Sequence, residues 1–109
     1  MSKFVVENRI WDKEESLTSS ELATLQGTKL KETVERVQNV PFYKEAFAKT
    51  GITPGKIQSL DDLQRLPFTT KADLREEYPL RMLAVDRSEV ARYHGSSGTT
   101  GKPTMVAYT

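Results

Sequence analysis

Apolar residues recur at near-helical spacing in the first third of this chain and gather into short strand-like runs at its end. Leu22, Leu25, Leu30, Val34 and Val37 follow the helical period, while Lys29, Lys31, Glu32, Glu35 and Arg36 take other positions. This predicts one amphipathic helix over 19–38. Thr18-Ser19-Ser20-Glu21 sets a hydroxyl and a carboxylate three apart, the signature of a capping box. Asn39 and Pro41 end the helix, because proline disfavours helical geometry in the residue before it. Gly27 inside it costs about 1 kcal/mol relative to alanine, and marks either a close crossing or a tolerated exception. A second helix is predicted over 42–49, with Gly51 just past its end. Phe42, Tyr43, Ala46 and Phe47 form an aromatic stripe on it that reads as core.

Two shorter capped units follow. Thr53-Pro54-Gly55 is a turn. Ser59 caps a brief helix over 60–63 that Pro67 stops, and Thr70 caps another, with Asp73 at its third position and Pro79 as its stop. Leu60, Leu63, Leu66, Phe68 and Leu74 are the expected small packing contacts, and Trp11 is expected to anchor the N-terminal stretch. Lys71 and Arg75 read as solvated. The apolar residues of the 79–86 connector, Leu80, Met82, Leu83 and Val85, should tuck under the strand that follows. Strand formers occupy 90–93 and 105–108. The expected fold class is α+β: a mostly helical segment over 17–78, then a strand–loop–strand hairpin over 89–109.

Composition narrows the functional classes. The chain has 109 residues, 28% charged and 37% hydrophobic, with 16 Lys+Arg against 15 Asp+Glu. That is one domain at most. The near-neutral balance without a basic cluster excludes a nucleic-acid surface. The absence of cysteine excludes disulfides and thiolate metal sites. Phe4-Val5-Val6 is too short for the apolar core of a signal peptide, and no run approaches the ~18 apolar residues of a membrane span. The single histidine argues against a zinc site and against a Ser-His-Asp or Cys-His nucleophile. No catalytic or metal-ligating residue is assigned.

The chemistry concentrates in Tyr93-His94-Gly95-Ser96-Ser97-Gly98-Thr99-Thr100-Gly101-Lys102-Pro103-Thr104. Glycines recur every third residue, hydroxyls fill the gaps, and a lysine closes the run. Glycine lets the backbone approach a ligand closely, successive N–H groups can converge on an anion, and lysine adds a point charge for phosphate. The composition reads as a phosphate cradle; a flexible linker or plain hairpin loop has a similar composition, and both readings stay open on this ground. It is not a Walker A loop, which needs glycine where Ser96 stands and Ser or Thr where Pro103 stands. Proline after the lysine also disfavours a helix there, so the loop should join two strands. His94 either ends the first strand or touches phosphate, and the structural role is preferred.

Ser96-Ser97-Gly98-Thr99-Thr100-Gly101-Lys102-Pro103-Thr104 resembles the phosphate-binding signature of the adenylate-forming superfamily of acyl-CoA synthetases. The lysine before the proline, with His94 upstream and Tyr108-Thr109 downstream, resembles the phenylacetate-CoA ligase branch. Trp11-Asp12, Val40-Pro41-Phe42-Tyr43, Leu60-Asp61-Asp62-Leu63, Leu66-Pro67-Phe68-Thr69-Thr70-Lys71 and Asp73-Leu74-Arg75 are similar to that branch's N-terminal segment. The resemblance runs from about Trp11 to Thr109.

The resemblance implies an AMP-forming acid–thiol ligase acting on an aryl acid such as phenylacetate. Such an enzyme uses ATP with Mg²⁺ and coenzyme A, works in the cytoplasm and forms homodimers. Residues 1–109 would be part of its large N-terminal domain. Ser96, Ser97, Gly98, Thr99, Thr100, Gly101 and Lys102 would hold the β- and γ-phosphates. Gly98 and Gly101 would give close backbone approach, Ser97, Thr99 and Thr100 would give hydroxyl donors, and Lys102 a charge. Contacts to adenine, ribose, the acid and coenzyme A, and the catalytic lysine of a C-terminal domain, would lie in later segments. This stretch alone would then be inert. The competing expectation is a free-standing, non-catalytic small domain that binds an anion or a protein.

Overall fold

A computed structural model describes residues 9–97 and 101–109 of the chain. Its helical part is built from capped units. Helix α1 spans Ser19–Val37. Thr18 opens it: its N–H and its hydroxyl both donate to Glu21 Oε2, at 2.8 and 2.7 Å, and the Glu21 N–H donates back to the hydroxyl at 3.4 Å. These bonds, the hydroxyl's first, hold the Glu21 carboxyl below its ordinary range. Helix α2 spans Pro41–Thr50. It starts one residue earlier than expected, because proline suits the first helical position, where its missing N–H would be unpaired anyway. Gly51 ends it in the left-handed region at φ 67°, a conformation that only glycine adopts freely.

The Ser59-led unit is a 3₁₀ helix over Leu60–Arg65, not an α-helix. Asp62 Oδ2 accepts from the Gln58 and Ser59 N–H groups at 2.8 and 3.0 Å, which fixes the entry to this tighter turn. A further 3₁₀ turn spans Pro54–Lys56. Helix α3 covers Lys71–Glu76, stopping three residues short of Pro79. The Thr70 N–H donates to Asp73 Oδ2 at 2.7 Å, and the Asp73 N–H donates to the Thr70 hydroxyl at 3.3 Å.

The core is small. Val34 of α1, Phe47 of α2 and Ile57 form one buried cluster, with Leu30, Val37, Tyr43, Ile52 and Leu66 packed against it. Burying a side chain of this size stabilises by about 1.5–3 kcal/mol. Gly27 is buried, and a Cβ built there would lie 3.7 Å from the Leu60 backbone nitrogen. The glycine thus marks a close approach, of the 3₁₀ helix rather than of another α-helix. The Tyr43 and Thr69 hydroxyls share a hydrogen bond of 2.8 Å that ties α2 to the approach to α3.

Several expected core residues lie outside this cluster. Trp11 is 81% exposed, Leu63 52% and Phe68 95%. Their apolar type suggested packing, but the turns that carry them aim them away from Val34 and Ile57. Of the aromatic stripe only Phe47 is fully buried; Phe42, Tyr43 and Ala46 are half-buried. The molecule is correspondingly open. Its radius of gyration is 18.2 Å, against about 13 Å for a compact domain of this length.

The chain ends in an antiparallel pair, β1 (Arg92–Gly95) and β2 (Met105–Tyr108). Arg92 faces Tyr108, Tyr93 faces Ala107, His94 faces Val106 and Gly95 faces Met105. β1 lies two residues later than the 90–93 expected from strand propensity, because the ladder with β2 sets its limits. His94 therefore sits inside the strand rather than at its end. A 3₁₀ turn over Arg87–Glu89 precedes β1. The connector's Leu80, Met82, Leu83 and Val85 are half-buried, but they face β2 rather than the β1 strand that follows them. With Met105 and Ala107 they line a groove of about 530 Å³ between the helical part and one face of the hairpin. Among the described residues no helix is long and apolar enough to cross a membrane.

Candidate functional site

The hairpin presents the serine- and glycine-rich loop at the far end of its ladder. Alternation along paired strands puts Arg92, His94, Val106 and Tyr108 on one face and Tyr93, Met105 and Ala107 on the other. The first face is open to solvent. The Arg92 guanidinium stands 5.2 Å from the centre of the Tyr108 ring, within cation–π range. His94 meets the same ring edge-on at 6.4 Å. These contacts hold the two strands' side chains together beside a depression of about 400 Å³, lined by His94, Ser96, Ser97, Thr104, Val106 and Tyr108.

At the loop neck, Ser96 and Thr104 meet three times. The Ser96 N–H donates to the Thr104 carbonyl at 3.0 Å. The Thr104 N–H donates to the Ser96 hydroxyl at 3.3 Å. The two hydroxyls lie 2.6 Å apart, one donating to the other. The ladder thus closes with a side chain accepting from the strand, and the loop opens directly beyond it.

The seven expected phosphate-loop residues divide accordingly. Ser96 sits in the neck, with its hydroxyl engaged by Thr104. Ser97 is exposed just beyond. Gly98, Thr99 and Thr100 lie outside the described residues. Gly101 has φ 118°, which L-residues rarely adopt, so glycine is required there by the backbone itself. Lys102 is exposed, and Pro103 returns the chain half-buried to Thr104. The loop joins strand to strand, as the proline predicted. Thr104 and the Arg92–Tyr108 pair were not singled out from the sequence. Both depend on strand register, although an alternation of aromatic and basic residues flanking a hairpin is a signal that could have pointed to the pair.

The donor set suits an anion. Residues 92–97 and 101–109 contain Arg92, His94 and Lys102 but no aspartate or glutamate. Hydroxyls, backbone N–H groups and a lysine match phosphate oxygens. The same residues offer no carboxylate to a divalent cation, and the described residues contain no cluster of His, Cys, Asp or Glu that could hold a metal.

Comparison with known proteins places the chain beside one group of ligases. The chain is 51% identical over 96 residues to phenylacetate-coenzyme A ligase of Aromatoleum evansii, covering 87% of this chain and 22% of the relative. It is 50% identical over 96 residues to the enzyme of the same name from Thermus thermophilus, with the same coverage. The chain is similar to phenylacetate–coenzyme A ligases. It spans about 22% of the length of these curated relatives. No family model matches it. Among solved structures, 2-hydroxyisobutyryl-CoA ligase in complex with 2-HIB-AMP and CoA superposes with a TM-score of 0.77 at 31% identity, over 86% of this chain and 21% of that one. The matched region is the N-terminal part of that adenylate-forming ligase. The mostly helical architecture with a two-stranded sheet is therefore the fold of that region.

Proposed function

We propose that this chain supplies the phosphate-holding loop of an AMP-forming aryl-acid CoA ligase, and that residues 1–109 form part of its large N-terminal domain. The carrying observation is the hairpin: a loop rich in hydroxyls, glycine and a lysine, presented beyond a closed neck on a face free of carboxylates. The likeness to phenylacetate-coenzyme A ligases and to a ligase solved with an acyl-adenylate supports the reading. A free-standing binding module has no comparable support.

In this reading a carboxylate oxygen attacks the α-phosphorus of ATP, forming the acyl-adenylate and releasing pyrophosphate. The thiol of coenzyme A then attacks the acyl carbon, the thioester forms, and AMP leaves. The contribution of this chain is to the first step. Charge on the departing pyrophosphate is met by hydrogen-bond donors and a cation, which is the dominant means of stabilising phosphoryl chemistry. Ser97, Thr99 and Thr100 donate hydroxyls, the Gly98 and Gly101 backbone approaches the β- and γ-phosphates, and Lys102 brings a positive charge. Mg²⁺ would neutralise phosphate oxygens, held by those oxygens and by residues other than this hairpin. Phenylacetate as the acid, a cytoplasmic location and a homodimeric assembly belong to the same proposal.

Lys102→Ala in the full natural protein tests it. Replacing this cation should lower ATP–pyrophosphate exchange by at least about tenfold, the scale of one charge-assisted contact, without altering the far-UV circular dichroism. Exchange at the wild-type rate, with a panel of aryl acids offered, would refute the cradle assignment.

A further inference from the structure

We propose that Thr104 is a positioning residue for nucleotide: with Ser96 it latches the neck of the loop and so holds the phosphate donors in their binding arrangement. This deepens the phosphate-loop reading and rests on it. Thr104 lies outside the Ser96–Lys102 run and touches no phosphate in that reading.

The argument starts from register. The ladder's last backbone pair is Gly95 and Met105. One step further, Ser96 and Thr104 keep a backbone bond of 3.0 Å and add two bonds through the Ser96 hydroxyl. Ser96 is exposed and Thr104 only half-buried, so neither hydroxyl is sealed from water; their mutual bond at 2.6 Å therefore acts on geometry rather than satisfying a buried group. It fixes the separation of the two chain segments from which the loop departs. Just inside the neck, Ser97 leaves one segment, and Gly101 and Lys102 lead into the other. Gly101 is held at φ 118°, a conformation that glycine itself does little to enforce. The apparent affinity of any site falls in proportion to the fraction of time its donors spend in the competent arrangement. Closing the neck raises that fraction. The Ser96 oxygen accepts from the Thr104 N–H, which fixes where that hydroxyl sits at the edge of the loop.

The test uses Thr104→Val, which keeps β-branching and volume but removes the hydroxyl, alongside Ser96→Ala, Thr104→Ser and Lys102→Ala, all in the full natural protein. Loss of one such hydrogen bond should raise KM for ATP by about fivefold in Thr104→Val and in Ser96→Ala. In Thr104→Val, kcat and KM for the acid should stay within about twofold. Thr104→Ser, which retains the hydroxyl, should restore wild-type KM. A merely structural role would lower thermal stability without this split and without rescue by serine. If Thr104→Val and Ser96→Ala keep wild-type KM for ATP while Lys102→Ala is impaired, the latch is wrong and the cradle stands. If all three variants match wild type, the cradle fails and the latch with it. Should Thr104→Val lose its native circular dichroism, Thr104→Ala removes the same hydroxyl and decides the matter against Thr104→Ser.

Discussion

The helical part and the hairpin are held together by different means. From Thr18 to Glu76 the chain is a series of short helical units, three of them pinned by a carboxylate and a hydroxyl three residues apart and two opened by proline, gathered on Val34, Phe47 and Ile57. From Arg92 to Tyr108 there is no fully buried residue among those described; four cross-strand pairs and one polar latch hold two short strands. Free energy of folding concentrates in the first region, and the chemistry that can meet a ligand concentrates in the second. Substitutions in the two should therefore separate cleanly into effects on unfolding and effects on nucleotide.

The sharpest way to break that comparison is Ile57→Ala. Ile57 is the most buried side chain, 1% exposed, and its truncation should cost about 3 kcal/mol, seen as a lower denaturant midpoint by far-UV circular dichroism. The loop variant Lys102→Ala should unfold at the wild-type midpoint. Equal shifts in both would mean that the hairpin is part of the same core.

The caps come next in size. Thr18→Ala and Thr70→Ala should each cost about 1 kcal/mol in the same measurement. Their carboxylate partners add a pH signature. Hydrogen bonds from Thr18 hold Glu21 low, hydroxyl first, and those from Thr70 hold Asp73 low, backbone first. A carboxyl lowered in the folded state contributes stability that is present above its unfolded value and lost as pH falls through its folded one. The helical part should therefore weaken below about pH 4, and the two alanine variants should show a shallower acid limb than wild type.

Gly27→Ala is the smallest and has the opposite sign. The added Cβ would sit in ordinary contact with the Leu60 backbone, so the gain in helix propensity, about 1 kcal/mol at most, should appear as a modest rise in midpoint. A fall would mean that the α1 crossing is tighter than 3.7 Å implies.

Local signals were the legible ones. Thr18 with Glu21 and Thr70 with Asp73 could be read directly, since a cap lies within four residues. Gly51 and the end of α1 were equally plain. Leu63 and Phe68 differ from expectation because hydrophobicity says only that a side chain gains by burial, and the described residues leave Leu63 half exposed and Phe68 almost wholly so. The start of β1 was misplaced because Val90 and Ala91 have suitable side chains, whereas pairing with Met105–Tyr108 decides where the strand runs. The loop's ends could be recognised from composition. The Ser96–Thr104 bond could not, since eight residues separate them and only the register brings them together.

The two strands are paired only to each other among the described residues, and β2 reads Met-Val-Ala-Tyr, apolar on both faces. Such a narrow ribbon coils about its own axis more tightly than a broad sheet does. A strand laid along it would lessen that coil and so turn the Gly101–Lys102 end of β2 about the ribbon's long axis. The heading along which Lys102 is offered to an incoming anion is thus a property of sheet width, decided several residues away from every donor in the loop.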